Sequence, residues 1–121
     1  MINGDTYEVS KVLKNAKATL QRVGWVKGVF VRPDGRLCSL GAIKTVLYGD
    51  AYGNIVLGTS HTERVASVQV LTEQDYLYDR AADAICKETL HDNVADWNDS
   101  EETTYENVMD TFDAAIARCG G

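Results

Sequence analysis

The sequence predicts an α+β domain, with three main helices and one short helix packed against a small antiparallel sheet. Three observations carry that expectation. Apolar residues recur at helical spacing in three long segments. A run of strand formers, Trp25 to Val31, meets the turn sequence Arg32-Pro33-Asp34-Gly35-Arg36 and continues as Leu37-Cys38-Ser39-Leu40, which reads as a hairpin. Two β-branched runs, Ile55-Val56-Leu57 and Val65 to Leu71, flank Gly58-Thr59-Ser60 and offer two more short strands.

The first helix is expected from Thr6 to Val23, with Asp5 as N-cap and Glu8 reaching back to it. Val9, Val12, Leu13, Ala16, Leu20 and Val23 form its apolar stripe, and Gly24 stops it. After the hairpin, Gly41 to Tyr48 reads as a short helix capped by Ser39, and residues 49–54 as a loop. For residues 55–71 a loop followed by a helix is the alternative to two strands. Thr72, with Asp75 three residues on, is the expected cap of a helix that fades near His91. Leu77, Ala81, Ala84, Ile85 and Leu90 form its stripe. Residues 92–100 read as a connection in which Val94 and Trp97 cover the core. In the last helix Thr103 and Glu106 form the expected capping box, and Tyr105, Val108, Met109, Phe112, Ala115, Ile116 and Cys119 keep helical spacing.

The 121 residues fit one domain over 1–121, large enough to bury a core without metal or disulfides. No apolar run approaches the roughly 18 residues of a membrane span, and the N-terminal residues lack a signal-peptide pattern. A cytoplasmic protein is the resulting expectation. Cys38, Cys86 and Cys119 are odd in number and widely spaced, which suits neither a disulfide framework nor zinc. The net charge of −6 is polarised. Residues 1–61 carry eight Lys/Arg against four acids, and residues 62–121 carry four against fourteen. Such a gradient serves either mutual compensation within the fold or attraction of a charged partner.

Asp96-Trp97-Asn98-Asp99 is the most polar candidate segment. Asn98 and Asp99 could read a ligand beside the Trp97 ring, or satisfy loop and helix-terminal amides while Trp97 closes the core. Calcium does not fit. Asp96, Asn98 and Ser100 have the right spacing, but Glu101 stands where the loop needs glycine and Asn107 where it needs a bidentate acid. Cys38 is the credible nucleophile, at the start of a short helix whose amides lower a thiol's pKa, with His61 or His91 as base and Asn98 or Asp99 as orienter. Its neighbours Leu37 and Leu40 favour a core role. The two histidines form no metal motif, the glycines form no phosphate loop, and no cofactor is implied. Lys11, Lys14 and Lys17 share a helix face but lack the aromatic interleaving of a nucleic-acid site.

Three stretches occur together in order: Gly24-Trp25, then Asp34-Gly35-Arg36-Leu37-Cys38-Ser39-Leu40-Gly41-Ala42, then Trp97-Asn98-Asp99. In them the chain resembles uncharacterised short proteins of actinobacteria and their phages that carry a GRxCxxGA…WND pattern. Residues 50–71 read as an insertion. The resemblance implies a compact domain of unknown function without assigned catalytic residues, and an origin suited to acting on a host component. The leading expectation is a non-enzymatic protein–protein interaction module of phage type that binds a bacterial host protein, or a second copy of itself, with Cys38, Trp97, Asn98 and Asp99 as candidate binding residues. The alternatives are a small enzyme or ligand-binding domain using Cys38 with Asn98 and Asp99, and an acidic nucleic-acid mimic.

Overall fold

A computed structural model describes the backbone of residues 4–49 and 61–120 and the side chains of residues 8–49 and 74–120. Its helices are α1 (Gly4–Val23), α2 (Ser39–Tyr48), α3 (His61–Lys87), α4 (Val94–Asp99) and α5 (Tyr105–Arg118). α1 is the element on which the others assemble, touching α2, α3 and α5, while α2 also meets α3 and α4. Its expected stripe is the reason. Val9, Val12, Leu13, Ala16 and Leu20 are all buried, and they meet Ala42 and Ile43 of α2, Ala81 and Ile85 of α3, and Val108, Phe112 and Ala115 of α5 in one apolar cluster. α1 begins two residues earlier than the sequence indicates, so Asp5 lies inside the helix. Gly24 ends it as expected, at φ +99°, with its N–H on the Leu20 carbonyl.

The α+β expectation is overturned. Among the described residues there is no sheet or hairpin, and extended pairing is limited to isolated bridges of Leu37 with Trp25 and with Val31. The Arg32–Gly35 turn forms, with the Gly35 N–H on the Arg32 carbonyl at 2.8 Å. What prevents strands is glycine. Gly24 and Gly28 both take positive φ, so the chain turns on either side of Trp25 to Lys27 and leaves too short a run for a strand. The chain instead doubles back. Leu37 exchanges hydrogen bonds with Gly24 and Val26, while Cys38 donates to the Phe30 carbonyl at 3.2 Å. Residues 24–38 therefore form a loop cinched around Leu37.

The strand expected at Val65 to Leu71 is also overturned, and the alternative, a helix there, is what forms: these residues belong to α3. No glycine or proline interrupts His61 to Lys87, so β propensity at three valines is too weak a preference to break the helix. Thr72 is consequently interior rather than a cap. The strand expected at Ile55-Val56-Leu57 and residues 50–54 of the expected loop lie outside the described residues. α3 ends at Lys87, which leaves Leu90 fully exposed rather than in the apolar stripe.

Two further differences concern helix ends. Residues 94–99, expected as a connection, form α4, capped by Asn93, whose Oδ1 accepts from the Asp96 N–H at 2.8 Å. The capping box of α5 is Thr104 with Asn107, not Thr103 with Glu106. Thr103 is buried and its hydroxyl donates to the Trp97 carbonyl at 2.6 Å, so it ties α4 to α5 instead of capping.

Candidate functional site

Asn98 stands at the end of α4, 1% exposed, facing the loop of residues 24–38. Its Oδ1 accepts from the Trp25 indole N–H at 2.7 Å, the Ser39 N–H at 3.0 Å and the Ser39 hydroxyl at 2.7 Å. Its Nδ2 donates to the Val26 carbonyl at 3.1 Å and to Asp99 Oδ1 at 3.0 Å. The partners fix which way the amide points, because an indole and a backbone N–H only donate while a carbonyl and a carboxylate accept. Asp99 extends the grip by accepting from the Gly28 N–H at 2.8 Å. A loop without regular structure is thereby pinned at Trp25, Val26 and Gly28.

Cys38 and Gly41 hold the other side. Cys38 is the N-cap of α2, its Sγ accepting from the Gly41 N–H at 3.2 Å. The serine expected as cap, Ser39, points its hydroxyl at Asn98 instead. Gly41 is required for close approach: a Cβ there would sit 2.2 Å from the Phe30 carbonyl oxygen. The two halves of the GRxCxxGA…WND pattern thus meet in space, and most of their residues serve to shape the loop.

Over this clamp lies a cleft of about 190 Å³ lined by Gly28, Val29, Phe30, Cys38, Leu40, Ala95, Asn98 and Asp99. Cys38, Asn98 and Asp99 of the sequence-derived candidates therefore share one site. Trp97 does not: it is buried with Val94 in the core. The residues that the sequence left unmarked as a site are Val29 and Phe30, 46% and 39% exposed at the cleft mouth. Adjacent apolar residues after a glycine were the available signal, and the strand expectation absorbed it.

The chemistry available is limited. Burial pushes the Cys38 thiol above its ordinary range, outweighing the lowering by the Gly41 and Leu40 amides, and the Asp99 charge adds to the rise. A thiol with a raised pKa is protonated at neutral pH and is a poor nucleophile. Among the described residues no histidine lines the cleft. His91 sits in the turn after α3, with its N–H on the Thr89 hydroxyl, and the His61 side chain lies outside the described residues. Among the described residues no group of three or more His, Cys, Asp or Glu could hold a metal, and no helix is long and apolar enough to cross a membrane. Cys86 and Cys119 are half-buried free thiols. Cys38 is buried and the other two are half-exposed, so iodoacetamide at pH 7 should label Cys38 roughly tenfold more slowly than either of them in the folded chain. Peptide mapping by mass spectrometry reads the order, and preferential labelling of Cys38 would restore the nucleophile reading.

Compared with known proteins, residues 5–118 match a family model described as "Family of unknown function (DUF6197)". No curated protein and no solved structure matches the chain.

Proposed function

The chain belongs to DUF6197, a family of unknown function, and from that footing we propose that it is a non-enzymatic protein–protein interaction module. It docks a partner protein through the loop tip Val29-Phe30 and the cleft beside it. The observation that carries this reading is the combination of exposure and bracing at one place. Two apolar side chains stand in solvent while the backbone is pinned just before them, at Val26 and Gly28, by Asn98 and Asp99, and at Phe30 by the Cys38 N–H. Holding an apolar tip rigid lowers the ordering cost that a partner would otherwise have to meet on binding. A bacterial host protein is the partner class suggested by the resemblance to short actinobacterial and phage proteins.

The other readings have less support. An enzyme using Cys38 has no histidine in the cleft among the described residues and holds its thiol as a helix cap. A nucleic-acid mimic needs a continuous run of unpaired carboxylates. Here Asp113 pairs with Lys17, Asp83 with Lys87 and Glu88 with Arg118.

A photo-crosslinking amino acid at position 29 should give a discrete covalent adduct in bacterial lysate. The same group at the exposed Ala114 position on α5 should not. Equal patterns at the two positions, or no adduct at 29, would count against docking at the loop tip.

A further inference from the structure

Phe30 is held in two ways, through its backbone and through its ring. The Phe30 carbonyl accepts from the Cys38 N–H, which fixes where the side chain starts. The ring itself is exposed and lies outside the core cluster. Core packing therefore does not choose its rotamer. What meets it is Lys44 of α2, whose ammonium lies over the Phe30 ring, 5.3 Å from the centroid.

Lys44 is in turn placed by two more rings. Its ammonium is 4.7 Å from the Tyr78 ring centroid and 6.0 Å from that of Tyr48. These two rings are fixed relative to each other, because the end of α2 is tied to α3. The Tyr48 hydroxyl donates to Asp75, and the Gln74 side-chain amide donates to the Leu47 carbonyl. Burial raises both phenols, Tyr78 up to about 12, and the Asp75 bond adds to the rise at Tyr48. Both therefore present the face of a neutral ring to the ammonium. Asp75 and Asp79 line the same hollow of about 270 Å³ as Lys44, Tyr48 and Tyr78, and their charges draw the ammonium the same way. A cation seated on the α2–α3 junction thus reaches a third ring, which belongs to the loop.

We infer that Lys44 is the positioning residue of the loop tip: by bridging the Phe30 ring to Tyr48 and Tyr78, it sets the direction of that ring before a partner arrives. The inference rests on the docking reading above and adds the residue that readies the tip for it. One face of the Phe30 ring is taken by the ammonium, so a partner meets the other face and the edge. Ordering a rotatable side chain in advance removes part of the cost of binding. The role needs a cation and not merely a long side chain, because the attraction is between positive charge and the negative face of a ring. Arginine can supply it and glutamine cannot.

The chain has two phenylalanines, Phe30 at the tip and Phe112 buried in the core. Isotope-labelled phenylalanine rings therefore give one reporter and one internal control in NMR spectra of the full chain without a partner. The parent Phe30 signals should stand apart from those of free phenylalanine and relax as an ordered ring. In Lys44→Gln they should collapse toward the free amino acid while Phe112 stays in place, and in Lys44→Arg they should return. Lys44→Met, which keeps the aliphatic length without the charge, gives the same reading should glutamine disturb α2. Phe30 signals that are unchanged in the neutral variants, or lost equally in Lys44→Arg, would overturn the inference. The photo-crosslinker at position 29 joins the ring to docking: its adduct should form roughly threefold more slowly in Lys44→Gln than in the parent. Adduct formation at the parent rate beside a released Phe30 ring would overturn the positioning role and leave the docking reading standing. No adduct in either chain would overturn the docking reading, and positioning for docking with it, even where the ring signals show Lys44 fastening Phe30.

Discussion

Replacing Asn98 with alanine should lower the unfolding free energy by about 4 kcal/mol or more. The estimate follows from what is left behind. The Trp25 indole N–H, the Ser39 N–H and hydroxyl, and the Val26 carbonyl each lose their bond to the Asn98 amide, at a site that is 1% exposed. An unsatisfied buried polar group costs roughly 1–3 kcal/mol, and partial entry of water offsets part of the sum. Asn98→Asp is the sharper variant. Its shape is conserved and its oxygen can still take the three donors. The second oxygen, however, faces the Val26 carbonyl and the Asp99 carboxylate, which are acceptors. A loss of about 3 kcal/mol is expected, together with loss of binding at the loop tip. Urea denaturation checks both. A change below about 1 kcal/mol for either would mean that the hub does not carry the loop.

Gly41→Ala should destabilise by about 3 kcal/mol, because the added methyl group meets a backbone oxygen and not a side chain that could swing away. The Phe30 carbonyl has to retreat, and with it the bond from the Cys38 N–H. Gly28→Ala is the informative comparison. Gly28 has open space around it but a φ of +84°, so its cost is conformational and near 1 kcal/mol. A Gly41→Ala protein as stable as Gly28→Ala would show that the loop can lift from α2 freely.

Much of the helical frame was legible because it is local. The stripes of α1 and α5 repeat over several turns, and burial follows the spacing from Val9 to Leu20 and from Val108 to Ala115. The Gly24 stop and the Arg32–Gly35 turn rest on single residues with strong dihedral demands. The misreadings share a different cause. Val65 to Leu71 were assigned by residue preference where continuity with a long unbroken helix decides the outcome. α4 has six residues, too few for an apolar period to show. Thr103-Thr104 and Glu106-Asn107 offer two overlapping capping patterns, and the choice is made by a third group, the Trp97 carbonyl, which takes the Thr103 hydroxyl. At the candidate site, Cys38, Asn98 and Asp99 were picked out as polar or reactive side chains among apolar ones. Ser39 and Trp25 were not, because their roles arise only when segments 59 and 73 positions apart come together.

That separation has a consequence for how the protein is made. Synthesis delivers α1, the loop and α2 well before α4. Until residue 98 arrives, the Trp25 indole N–H, the Val26 carbonyl and the Ser39 N–H have only water as partners, and the Gly28 N–H lacks the Asp99 carboxylate. A truncated product keeps an amphipathic first helix but carries a loop of residues 24–38 that has not taken shape. The shape of residues 24–38 is thus set only once α4 has been made, and Asn98 is the residue that couples the two.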